Sequence, residues 1–170
     1  MPLTPAKRQQ LFSIFPFLER EGFTETSLDT TDYNCIAWSL GDTTRFWWPD
    51  PTPSPFNPYW PPYVLFLDTV ANFQSLYRSH GYADCDGPQL EEGFEKVAIY
   101  ANGDRVKHAA RQLPDGAWTS KLGYDIDISH SLVALEGGYY GSVACVLKRL
   151  SDRNSVIAKP ETPLPIGEAS

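Results

Sequence analysis

Cys35 is the first residue of this sequence whose type and setting suit it to chemistry. It follows a polar stretch containing Thr26, Ser27, Asp29, Thr30, Thr31 and Asp32, residue types that cap helices. It also lies near the start of the run Tyr33 to Leu40, in which Ile36 and Leu40 share one face before Gly41 closes the run. This pattern predicts a short helix with the cysteine in its first turn. A helix N-terminus favours the thiolate, which is the nucleophilic form. The side chain of Asn34 and the backbone N–H of Cys35 are candidates to hold an oxyanion. The bland alternative is a small buried hydrophobe, the commonest role of a free cysteine.

His108 is the matching candidate base. It lies in a strand expected over 104–112 and is followed by Ala109 and Ala110, small residues that leave room for another group to approach the ring. An imidazole so placed can take a thiol proton. The expected next strand carries Ser120 and Lys121, and Asp125 and Asp127 follow it. Any of these four is in reach by sequence to orient the ring, and the sequence does not choose among them. Cys145 sits in an apolar strand, and Cys85 lies between Asp84 and Asp86, where negative charge disfavours a thiolate. His80 marks a helix end, and His130 is a cap or a site member. No CxxC, HxxxH, glycine-rich phosphate loop or GxSxG occurs, so neither a metal nor a cofactor is expected.

The elements that must position these residues divide the chain in two. Leu11, Ile14, Phe15 and Leu18 have helical spacing, with a break expected at Pro16 and a stop at Gly22. Residues 49–62 hold Pro49, Pro51, Pro53, Pro55, Pro58, Pro61 and Pro62 interleaved with aromatics. Neither a helix nor a central strand can form there, so an ordered, packed loop is expected. Trp47, Trp48 and Trp60, with Trp38, are the candidates to wall a cleft and bind substrate. Val70, Phe73, Leu76 and Tyr77 predict a helix over 69–80, closed by Gly81. The turn signals Asn102-Gly103-Asp104 and Pro114-Asp115-Gly116 separate strands expected at 94–101, 104–112 and 116–121. A helical turn is expected over 131–136 and a fourth strand over 142–150. The fold class is therefore α+β, with N-terminal helices packed on a C-terminal antiparallel sheet. Residues 1–150 are read as one domain and 151–170 as a flexible tail.

The chain has 170 residues and a net charge of −7, which disfavours a nucleic-acid partner because counterion release needs clustered cations. No apolar run reaches the roughly 20 residues of a membrane helix, and no signal peptide is visible. The three cysteines are too few and too scattered for a disulfide framework. The expected location is the cytoplasm, or outside the cell without a classical signal.

Two resemblances add to this reading. The segments NCIAWSLGDTTRFWWP, VAIYANGDRVKHAARQLPDGAWTSKLG and YGSVACVLKR are similar to a bacterial domain family of unknown function, over roughly residues 30–150. A cysteine opening a helix, followed by a histidine on an antiparallel meander, resembles the papain-like cysteine hydrolase superfamily. That resemblance implies a papain-like fold, Cys35 as nucleophile and His108 as base. It also implies a peptide or protein amide substrate, cleaved by a peptidase, amidase or deamidase. Papain-like enzymes usually carry Asn, Asp, His or Gln at the third position, where this chain offers Thr119, Ser120 and Lys121; Ser120 is taken as the candidate. The alternative reading is a non-catalytic protein-binding module using the Trp/Pro-rich loop 46–62.

Overall fold

The computed structural model describes residues 3–27, 30–50, 52, 57–123 and 125–151. Its first helix, α1 (Pro5–Ile14), begins where the Thr4 hydroxyl accepts the Lys7 N–H. It ends at Phe15, whose backbone is extended because the residue before a proline is pushed out of the helical region. A single turn, α2 (Leu18–Glu21), follows and stops at Gly22, which has a φ of 78°. Strand β1 (Phe23–Glu25) leads to the short helix α3 (Cys35–Ser39), and α4 (Val70–Ser79) is capped by the Thr69 hydroxyl. Thereafter the chain is mostly strand: β2 (Ala83–Asp84), β3 (Phe94–Asn102), β4 (Arg105–Gln112), β5 (Trp118–Lys121), β6 (Asp127–His130) and β7 (Ser142–Leu150). A 3-10 turn at Val133–Leu135 precedes β7.

The seven strands form one antiparallel sheet in the order β1-β6-β5-β4-β3-β7-β2. The expected meander is present as β3-β4-β5, extended by β6, and β7 returns to the free edge of β3. The short strands β1, β2 and β6 have no counterpart among the expected ones, since two to four residues carry too little alternation to read. The α+β class is as expected, but the helices do not share one layer. Alternation along β3 sends Val97 and Ile99 to a core with α3 and α4, and Ala98 and Tyr100 to a core with α1, α2 and the 3-10 turn. The sheet is thus covered on both faces, which is why Val97 to Tyr100 form a continuous, fully buried run.

Two irregularities in β4 shape the surface on which α3 rests. Tyr100 pairs with His108 and Ala101 with Val106, so Lys107 is an extra, bulged residue. β4 and β5 pair only at Arg111↔Thr119 and Gln112↔Trp118. Beyond that point β5 continues alongside β6, and α3 packs against both β4 and β5. The start of β4 is bridged instead by Asp68 and Thr69. The tail expected over 151–170 lies, apart from Ser151, outside the described residues, as do Pro51 and 53–56 of the proline-rich loop.

Candidate functional site

Asn34 builds the front of α3. Its Oδ1 accepts the N–H groups of Ala37 and Trp47, and its Nδ2 donates to the Trp47 carbonyl at 2.9 Å. One side chain therefore caps the helix and pins the following loop beside it. These bonds make Asn34 a cap and clamp rather than an oxyanion donor, because its amide is committed to backbone groups.

Cys35 comes next, buried but not sealed, with about 7% of its surface exposed. Burial pushes its thiol up to about 11, against the opposing pull of three backbone N–H groups, those of Ala109, Ile36 and Cys35 itself. The Ala109 amide is available because β5 has left the flank of β4 at this point. The cysteine thus packs beside a stretch of β4 that has no β5 partner. Above it lies a cleft of about 300 Å³, walled by Phe46, Trp48, Pro58, Tyr139 and Tyr140, with Asp50, Lys107 and Gly123 also on its lining. Lys107 reaches this cleft from the bulge; bulges commonly re-aim side chains beside functional sites.

His108 is fully buried and lies on the other core. Its ring stacks flat on Tyr140, with centroids 4.1 Å apart, and meets Tyr100 edge-on at 5.4 Å. Neither ring nitrogen has a hydrogen-bond partner. Burial, with a smaller contribution from His130, holds its basicity well below the usual histidine range. Its side chain and that of Cys35 therefore lie on opposite faces of the sheet, and their link is through the backbone: the Ala109 amide that favours the thiolate follows directly on the His108 carbonyl.

The four candidates to orient His108 are engaged elsewhere. The Ser120 hydroxyl lies 2.7 Å from His130 Nε2, while His130 Nδ1 donates to the Ser131 carbonyl. That leaves Nε2 to accept from Ser120, so Ser120 serves His130 rather than His108. Lys121 is buried against the ring of Tyr33, whose hydroxyl donates to Asp127 at 2.7 Å. Asp125 pairs with Lys7.

Of the four tryptophans expected to bind substrate, Trp48 lines the cleft. Trp38 stacks on Tyr33, Trp47 is buried with its indole N–H on Asp42, and Trp60 is core against Phe73 with its N–H on the Leu65 carbonyl. Large aromatic surfaces near a sheet go inward first, which explains why three of the four are structural. The cleft residues Phe46, Asp50, Lys107, Tyr139 and Tyr140 were not anticipated. The one local hint was the tyrosine pair flanked by glycines in Gly137-Gly138-Tyr139-Tyr140-Gly141.

Residues 24–148, most of this sheet and all of this cleft's lining, match the family described as Domain of unknown function (DUF7689). The chain belongs to the DUF7689 family. No curated protein and no solved structure matches it. The DUF7689 match includes Cys35, Lys107, His108 and Tyr140 but begins after α1 and α2. Among the described residues of this DUF7689 chain, no group of three or more His, Cys, Asp or Glu side chains is placed to hold a metal ion. None of the described helices is long and apolar enough to cross a membrane.

Proposed function

We propose that this protein is a cysteine-dependent hydrolase of amide bonds, papain-like in plan, with Cys35 as nucleophile and His108 as general base. The observation that carries the reading is a cysteine in the first turn of α3 that lines an aromatic-walled cleft, where the backbone N–H groups of Ala109, Ile36 and Cys35 favour its thiolate against the effect of burial. Such donors stabilise developing negative charge, first on sulfur and then on the oxygen of a tetrahedral intermediate. A buried imidazole with no hydrogen bond is costly, at about 1–3 kcal/mol per unsatisfied group, and a proton-accepting role gives it a use.

In this reading the resting pair is neutral thiol and neutral imidazole. The His108 ring, which rests on the opposite core, must leave its stack on Tyr140 and come round to the cleft to take the thiol proton as Sγ bonds to the substrate carbonyl carbon. The proton then passes to the leaving amine as the C–N bond breaks, leaving a thioester. Water, deprotonated by His108, attacks the thioester; the C–S bond breaks, the acid leaves, and the sulfur regains its proton.

Alkylation by iodoacetamide, followed at each cysteine by mass spectrometry across pH, tests this. The expected result is that Cys35 labels faster than Cys85 at pH 7 and that His108→Ala removes the advantage. Labelling of Cys35 only as the pH approaches 11, indifferent to His108, would be that of an ordinary buried thiol and sinks the proposal.

A second reading, a non-catalytic binding module, has one observation in its favour. Tyr63, Leu65, Phe66 and Leu67 are exposed in close succession, with Tyr63 and Leu65 each more than two-thirds so. This patch begins just past the loop 46–62, whose Trp47 and Trp60 are buried. Cys35→Ala would leave binding through such a surface intact.

A further inference from the structure

Lys107 stands apart from most cations of this acidic chain. The other lysines and arginines described are mostly within 4.0 Å of a carboxylate. Lys107 has no such partner among the described residues; its ammonium lies 5.8 Å from the centre of the Tyr139 ring. It is half-buried, it lines the cleft that holds Cys35, and it enters from a bulge. Without that bulge, strand alternation would aim it differently. The other charged group on the lining, Asp50, is exposed and accepts the Thr52 N–H, and it forms no ion pair with Lys107.

Three features of the cleft combine. The sulfur marks where a carbonyl carbon would sit. Trp48, Phe46, Tyr139 and Tyr140 offer a slot for a flat or bulky apolar side chain. Lys107, two residues from Ala109 on the same strand, offers a positive charge that no carboxylate among the described residues pairs within 4.0 Å. A half-buried ammonium attracts a carboxylate more strongly than an exposed one does, because less solvent screens it.

We propose that the cleft takes the C-terminal end of a peptide, with the free carboxylate on Lys107 and an aromatic or large apolar side chain between the aromatic walls. This deepens the hydrolase reading and rests on it for the cleavage step. The bond broken would be the amide preceding the terminal residue, which leaves as an amino acid. The binding step stands by itself.

The test uses a matched pair of probes, N-acetyl-phenylalanine and N-acetyl-phenylalaninamide, which differ only in the terminal charge. Binding to the full chain is followed through the amide NMR signals of Cys35 and Gly123. The carboxylate is expected to bind roughly fivefold more tightly than the amide, the scale of one partly screened ion pair. Lys107→Gln should abolish that preference, Lys107→Arg should keep most of it, and added salt should weaken it. Equal affinity for the two probes, or a preference that survives Lys107→Gln, overturns the proposal. The two readings fail separately. Carboxylate preference with a Cys35 inert to alkylation keeps the site and removes the hydrolase. Rapid His108-dependent alkylation with no carboxylate preference does the reverse.

Discussion

The ring of Tyr140 covers the imidazole of His108 face to face, with 3° between the planes. Tyr140 also lines the Cys35 cleft, so one aromatic ring separates the candidate base from the space above the candidate nucleophile. Its position depends on a turn closed by a Gly138–Gly141 bridge. Gly141 has a φ of 73°, and a Cβ there would run into the Ala101 carbonyl; only glycine meets both demands.

Tyr140→Ala should therefore open His108 to water. Its basicity, now held down by burial, is expected to rise toward the ordinary value of roughly 6.5, whereas Tyr140→Phe should leave it low. A histidine NMR titration reads this directly. The truncation should also cost about 3–5 kcal/mol of stability, visible in urea unfolding. An unchanged His108 titration in Tyr140→Ala would show that the stack is not what shields the ring.

Gly141→Ala should displace the turn and, with it, the Tyr140 ring. The strain of a left-handed alanine alone is on the order of 1 kcal/mol, and the clash with β3 adds to it. A thermal midpoint equal to that of the parent protein would mean that the turn relaxes without cost.

Acid should weaken this fold before its carboxylates protonate. Burial holds His130 down at about 4, against 6.5 for an ordinary histidine, and burial holds His108 low as well. Between those values the unfolded chain binds protons that the folded one refuses, so stability rises with pH across the window. It is fully present above about 6.5 and falls as the pH drops toward 4. For His130 alone the loss is on the order of 3 kcal/mol. Urea midpoints measured from pH 7 to pH 4 should fall, and His130→Gln should flatten part of that slope. A pH-independent midpoint over this range would contradict neutral burial of both rings.

Asn34→Ala removes the cap on α3 and the clamp on Trp47 together. The expected cost is about 2 kcal/mol, the upper range for a lost cap. Asn34→Asp should recover most of this, since a carboxylate still accepts from Ala37 and Trp47 but cannot donate to the Trp47 carbonyl. In Asn34→Ala the sulfur's amide cradle should also loosen, read as a changed Cys35 alkylation rate with Cys85 unaffected. Equal stability of the Ala and Asp variants would assign the helix start to packing rather than to the cap.

Asp42 ties the start of the aromatic loop to itself. Burial works against its charge. The side chains of Thr44, Trp47 and Arg45 and the Thr44 backbone N–H nonetheless donate to it and hold its carboxyl well below the usual range. Asp42→Ala strips a partner from the buried Trp47 indole and should cost about 1–3 kcal/mol. A change below 0.5 kcal/mol, the scale of ordinary surface substitutions, would mean that the indole N–H finds water instead.

Local signals were legible in the order of residues alone. A polar cap before Cys35, a proline at 16, glycines after 21, 40 and 80, and Asn-Gly or Asp-Gly turns between alternating runs place α1, α3, α4, β3, β4, β5 and β7 within a few residues. Each depends on groups only a few positions apart, so the physics that forms it is written in neighbouring letters. Packing of the whole chain set the rest. It split the sheet beside Ala109, bulged β4 at Lys107 and laid Tyr140 on His108. It also gave Ser120 to His130 and left only Trp48, of the four tryptophans offered to substrate, on the cleft wall. These outcomes depend on which strand lies beside which, and on competition among aromatic side chains for two cores. That competition is settled by packing between residues far apart in the chain, where no local pattern records the outcome.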